Sequence, residues 1–225
     1  MRRIVKGPEP EDVRLWREAN AAVPQNLTYD NMPKIGAKRQ MLVEQGYLCA
    51  YTMQRISTVD DCHIEHVVPR SQYPQDPEVQ ISYGNLLACC PSNTPGHPRK
   101  RGKYPYGAEE KGQTRVFDSN FVSPLRDDVE LRFRYSSDGS VTHLNNDGPA
   151  ESTIGILRLN HDQLIELRKA AIDERVLDLE PGLSAQEAQE LSQAVLIPDA
   201  SGRISEFCLA ISHVAAWYAD RIGGA

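Results

Sequence analysis

The chain has 225 residues, 40% of them hydrophobic and 25% charged, enough for one sizeable core and typical of a globular protein rather than a disordered or fibrous one. No stretch approaches the roughly 18 apolar residues of a membrane span, and the basic start Met1-Arg2-Arg3 is not followed by an apolar core, so a cytoplasmic protein with no membrane partner is expected. A net charge of −6 excludes a protein that coats nucleic acid through its overall field.

The first predicted element is an amphipathic helix over about residues 9–21, where Val13 and Trp16 fall at helical spacing after a Pro-rich lead-in. A second helix spans about 33–45, and Gly46 stands where a helix ends in a left-handed residue. Residues 47–52 are β-prone. After a polar turn, Cys62-His63-Ile64-Glu65-His66-Val67-Val68 alternates and is β-branched, which predicts a strand that stops at Pro69. An apolar course resumes over 83–90. Residues 91–112 carry too many prolines and glycines for a long helix. The overlapping stretch 97–115 holds Arg99, Lys100, Arg101, Lys103, Lys111 and Arg115 against only Glu109 and Glu110. That local basic excess can hold a phosphate backbone, with Arg99, Lys100, Arg101 and Lys103 as the expected DNA contacts.

A small β region is predicted over 116–144, with Leu131, Phe133 and Tyr135 alternating before a turn at Asp138-Gly139. Beyond it the chain turns helical. Capping boxes at Asn160/Gln163 and Ser184/Glu187 set helix starts near 160 and 184, and Ile204, Phe207, Cys208, Ile211, Ala215, Tyr218 and Ile222 form one apolar stripe. Residues 151–225 carry 6 Lys+Arg against 12 Asp+Glu, so the whole net charge lies there. Two regions follow: 1–150 for chemistry, and 151–225 for packing or docking a partner.

Hydrolysis of a phosphodiester needs a water made nucleophilic, a Lewis acid for the charge on the phosphoryl group, and something that fixes the tautomer of the base. Glu65-His66, with Asn85-Leu86-Leu87 and then Cys90 and Asn93 downstream, supplies these residue types. His66 suits the base, because an imidazole is mostly neutral at pH 7, and an amide oxygen or a backbone carbonyl on its other nitrogen would fix the reactive one. Glu65 suits a hard oxygen ligand for Mg2+ or Mn2+. A Glu-His pair alone is commonplace. Its company, Pro69, Asn85 to Leu87, Cys90 and the basic segment in that order, gives it weight; His143, His161 and His213 lack such company and read as structural or surface residues.

The strings Cys49-Ala50-Tyr51, His63-Ile64-Glu65-His66-Val67-Val68-Pro69-Arg70-Ser71 and Tyr83-Gly84-Asn85-Leu86-Leu87-Ala88-Cys89-Cys90 resemble the ββα-metal motif of HNH endonucleases. They are similar in particular to the PtuB-like branch found in Septu and retron anti-phage systems, and residues 153–168 are similar to that branch's helical tail. The resemblance implies an α+β fold: an HNH ββα-metal core embedded in a mainly helical single chain, with a small β region and a helical C-terminal tail. It implies a metal-dependent DNA endonuclease in which His66 is the general base, Glu65 helps hold Mg2+ or Mn2+, and Asn85 orients the base. The third HNH position falls to Asn93 or His97, with Asn93 preferred. The implied partners are DNA and a PtuA-like ABC-type ATPase, in some systems alongside a retron reverse transcriptase with its RNA-DNA product.

One departure concerns zinc. Members with a structural Zn2+ often present two Cys-x-x-Cys pairs, whereas here Thr52 stands opposite Cys49, and Ser92-Asn93 follow Cys90. Either the site is rebuilt from Cys49, Cys62, Cys90 and a histidine such as His63 or His97, or packing replaces it, which is the favoured expectation. Two other functions are weighed: a non-catalytic HNH-like assembly subunit, against which the intact Glu65, His66 and Asn85 argue, and a zinc-dependent nucleic-acid-binding module, against which the broken cysteine pattern argues.

Overall fold

The structure, a computed structural model, describes residues 1–91 and 104–224 and is of the α+β class. Helix α1 (Glu11–Asn20) starts after Pro10, places Glu11 and Asp12 in the first turn against the positive helix end, and turns Val13 into the core. Helix α2 (Ile35–Glu44) buries Ala37, Met41 and Leu42. Its exit runs through two left-handed residues, Gly46 (φ 59°) and Tyr47 (φ 61°). A Cβ on Gly46 would lie 2.3 Å from Ile204 Cδ1, so glycine is required by space as well as by φ. The β-prone stretch 47–52 forms no strand: the chain reverses through Met53 (φ 61°), and Leu48 makes an isolated bridge to Arg55.

Strands β1 (His63–His66) and β2 (Leu86–Cys89) pair antiparallel, His63 opposite Cys89 and His66 opposite Leu86. Between them lie a 3-10 turn (Arg70–Gln72), helix α3 (Pro77–Ile81), capped by Asp76, and a second 3-10 turn (Tyr83–Asn85). All four residues of β2 are buried, as befits a strand covered on both faces. Its free edge is satisfied by Gln45 at the end of α2, whose side-chain amide accepts from Ala88 N at 2.9 Å and donates to Ala88 O at 2.8 Å. Helix α4 (Ala108–Lys111) is a single turn bracketed by Gly107 (φ 69°) and Gly112 (φ 48°).

A second hairpin pairs β3 (Phe133–Tyr135) with β4 (Val141–His143) around Gly139. Leu131, expected to alternate inward with Phe133, lies in the preceding 3-10 turn (Val129–Arg132) and is 75% exposed, because Val129 takes the buried position. Four helices follow: α5 (Gly148–Ile156), α6 (Asp162–Ile172) extended by a π turn (Asp173–Leu177), α7 (Ala185–Ala194) and α8 (Cys208–Gly223). The Ser184/Glu187 capping box forms as expected. At α6 the cap is His161, which accepts from Gln163 N, whereas Asn160 is diverted to the backbone N and O of Val141 on the second hairpin.

The apolar stripe continues into the core at Cys208, Ile211 and Ala215, while Ile204 and Phe207 precede α8 rather than belong to it. That preceding stretch is tied to the turn after α2. Ile204 N donates to Gly46 O and Phe207 N to Met53 O, both at 3.1 Å, and the Arg55 guanidinium donates to the Ile204 carbonyl. Buried residues from both ends of the chain form one core, and α5 runs across position 150. No helix among the described residues is long and apolar enough to cross a membrane.

Candidate functional site

The first hairpin and α4 enclose a polar cleft of about 210 Å³, lined by Tyr29, His63, Glu65, His66, Arg70 and Gln113 among others. The two-residue period of β1 puts His63 and Glu65 on one face, mostly buried but open to the cleft, and Ile64 and His66 on the other, more deeply buried. His66, the last residue of the strand, nevertheless lines the cleft, as does Ile64.

His66 is 8% exposed, and its Nε2 lies 2.8 Å from the Gln80 carbonyl at the end of α3. That acceptor makes Nε2 the donor and leaves the Nδ1 lone pair to take up a proton. Burial lowers the His66 pKa below the ordinary imidazole value; the Gln80 carbonyl opposes the shift, and the cations of Arg70 and Lys111 reinforce it. The ring is packed edge-on by Tyr29, centroids 4.8 Å apart. Tyr29 in turn has Lys34 and Arg70 over its ring, each 4.7 Å from its centroid, and of these two cations Arg70 lines the cleft next to His66.

Glu65 is divided between two partners. Its Oε1 accepts from Lys111 Nζ at 2.7 Å, and its Oε2 faces His63 Nε2 at 3.7 Å. Lys111, read from the sequence as part of the phosphate-facing basic segment, instead has a wholly buried side chain, and it also donates to the His66 carbonyl at 2.9 Å. Helix α4 thus delivers a cation to the interior of the site, not to its surface.

The Asn85 side chain makes its hydrogen bonds to backbone groups and not to the His66 ring. Its Oδ1 accepts from Val68 N at 2.8 Å, and its Nδ2 donates to Val68 O at 3.0 Å and to Val79 O at 2.7 Å. It clamps the chain leaving His66 to the chain approaching Gln80, so any effect on the base is exerted through the backbone. Of the two orienting groups the sequence allows, the backbone carbonyl is the one on the ring.

The expected metal ligands Asn93 and His97 and the expected DNA contacts Arg99, Lys100, Arg101 and Lys103 lie outside the described residues. Among the described residues no group of three or more His, Cys, Asp and Glu is close enough to hold a metal ion; within the cleft the donor set is the pair His63 and Glu65. Of the zinc candidates, Cys49 and Cys90 meet, Cys90 N donating to Cys49 Sγ at 3.3 Å, and the thiol adjoining them is Cys89. Burial alone would raise the Cys49 pKa, but hydrogen bonds from Cys89, Cys90 and Thr52 bring it well below the ordinary thiol value. Cys62 instead directs its thiol to the Val59 carbonyl, 3.6 Å away.

No family model matches the chain, and neither does any curated protein. Sequence reasoning overlooked Gln80, Tyr29 and Arg70 as parts of the site, read Lys111 as a phosphate-facing charge, and did not pair His63 with Glu65. Only His63 carried a usable signal, since period-two alternation on β1 places it beside Glu65. The others arrive from separate elements.

Proposed function

We propose that the chain is a metal-dependent endonuclease of the HNH kind that hydrolyses phosphodiester bonds in DNA. The observation that carries this reading is His66, held at Nε2 by Gln80 with Nδ1 left as the acceptor, in a cleft that also contains Glu65 and Arg70. His66 Nδ1 takes the proton from the attacking water. Its depressed pKa keeps it in the neutral, accepting form at neutral pH. Glu65 Oε2 and His63 Nε2 are the described residues that would hold a divalent ion, which when bound supplies Lewis-acid stabilisation of the phosphoryl charge. Arg70 positions the phosphate backbone at the cleft, and Arg99, Lys100, Arg101 and Lys103 are proposed as further phosphate contacts from the basic charge of their segment. The resemblance supports the further proposal of an effector nuclease in anti-phage defence, gated by an ABC-type ATPase.

The test is plasmid cleavage by the wild type and His66→Ala, with Mg2+, with Mn2+ and with neither, in the presence and absence of the ATPase. Loss of cleavage is expected in His66→Ala that still melts cooperatively, at a lowered temperature because a packed, hydrogen-bonded ring is removed; full cleavage by that variant overturns the reading. One observation favours a second reading, a non-catalytic assembly subunit: the buried Lys111 ammonium already neutralises Glu65 without a metal. That reading predicts no divalent-ion binding and no cleavage under any of these conditions.

A further inference from the structure

The carboxylate of Glu65 is not shared evenly. Lys111 fixes Oε1, which leaves Oε2 as the oxygen turned toward His63. The His63 ring is fixed as firmly: its Nδ1 lies 2.6 Å from the Pro91 carbonyl, so Nδ1 carries the proton and Nε2 offers its lone pair to the cleft. A ring N–H on a backbone carbonyl, with the other nitrogen free, is the arrangement that metal-binding histidines adopt. The resulting gap, 3.7 Å from Nε2 to Oε2, is too long for a hydrogen bond between them. A cation bonded to both atoms at roughly 2.1 Å would subtend an angle of about 120°, within ordinary coordination geometry.

We infer that His63 Nε2 and Glu65 Oε2 form one side of a divalent-cation site whose imidazole ligand selects a transition metal such as Mn2+ over Mg2+. The physical reason is the nitrogen ligand: carboxylates and water suit Mg2+ and Mn2+ alike, whereas a neutral imidazole nitrogen adds affinity for a transition-metal ion, least for Mn2+ among them, and little for Mg2+. The inference rests on the endonuclease reading for the purpose of the ion, though not for its binding. It adds to the expected acid before the base a second protein ligand two residues earlier on the same strand.

The test uses the full chain and Mn2+ itself, with bound ion counted by electron paramagnetic resonance and its ligands read from nitrogen hyperfine coupling in pulsed spectra. The wild type should show histidine nitrogen coupling. His63→Gln and His63→Asn, the second of which keeps a side-chain donor for Pro91, should lose the coupling and bind Mn2+ at least about 10-fold more weakly. Mg2+ should then displace Mn2+ at a correspondingly smaller excess. His66→Ala and His97→Ala should keep the coupling. Coupling that survives in both His63 variants, coupling lost instead in His97→Ala, or no Mn2+ bound by the wild type each overturns the inference, as does a water bridge betrayed by bound Mn2+ without any nitrogen coupling. The two readings fail separately. His66-dependent plasmid cleavage in Mg2+ with no His63 coupling leaves the endonuclease standing, and His63-coupled Mn2+ without cleavage under any metal does the reverse.

Discussion

Lys111 Nζ sits 2.7 Å from Glu65 Oε1 and 2.9 Å from the His66 carbonyl, joining a one-turn helix to both residues of the Glu-His pair. The lysine side chain has no solvent exposure and that of Glu65 only 12%, so neither charge is screened by bulk water. Removing one member of such a pair leaves the other buried and uncompensated. Lys111→Met should therefore destabilise the fold by about 3–5 kcal/mol in urea denaturation. The double variant Lys111→Met/Glu65→Leu should recover part of that loss, and strict additivity of the two single changes would show that the pair is not coupled.

The pH dependence of His66 follows from its surroundings. Its folded pKa lies below the ordinary 6.5, so the neutral form persists on acidification past the point where a free imidazole would protonate. The acid limb of the cleavage rate should fall below pH 6.5, and the His66 ring protons should titrate there in the nuclear magnetic resonance spectrum of the metal-free protein. Arg70→Ala removes a nearby cation that lowers this pKa, and should move the midpoint upward. A wild-type midpoint above 6.5, or a downward move in Arg70→Ala, contradicts the assignment.

Asn85 is a clamp. Asn85→Asp keeps the acceptor for Val68 N but loses both donors and sets a carboxylate oxygen against the carbonyls of Val68 and Val79. The expected cost is about 1–3 kcal/mol of stability. Cleavage should drop as the chain between His66 and Gln80 loosens, while Mn2+ affinity measured by titration changes only a few-fold. A collapse of metal affinity would make Asn85 a ligand instead.

His213 provides an acid-sensitive contact outside the cleft lining. Its Nδ1 accepts the Tyr135 backbone N–H at 3.2 Å, and burial lowers its pKa from 6.5 to about 4, with the charge of Arg134 adding to the effect. Between those values the unfolded chain binds a proton at this residue that the folded chain does not, so stability rises with pH across the window and is lost as pH falls through it. His213→Gln, which keeps an acceptor for Tyr135 N, should flatten the stability profile between pH 6.5 and about 4. An equally steep profile in the variant would place the acid sensitivity elsewhere.

How far the sequence revealed this arrangement depended on the range of the forces involved. Local signals were legible: the strand carrying Glu65 and His66, the left-handed Gly46 and the Ser184 box are all set by residues within a turn or a strand length of one another. Asn160 misled because a capping side chain and a cross-chain clamp draw on the same amide, and the partner that claimed it, Val141, lies nineteen positions earlier. Leu131 misled because alternation continued beyond the point where the backbone leaves the strand. Lys111 was read as surface charge because a lysine is rarely buried unless paired. Its partner Glu65 is 46 positions away, and nothing in composition or periodicity connects the two.

The Gly46 turn and the stretch before α8 also determine how this protein can diverge. Gly46 has no room for a Cβ beneath Ile204, and the carbonyls of Gly46 and Met53 are satisfied by N–H groups from positions 204 and 207. A chimaera of two homologues joined near position 150 would inherit the two sides of that contact from different parents, with the junction itself inside α5. Such a recombinant folds only if the glycine and the small clearance around Ile204 travel together, so residues 46 and 204 should behave as a single heritable unit although 158 positions separate them.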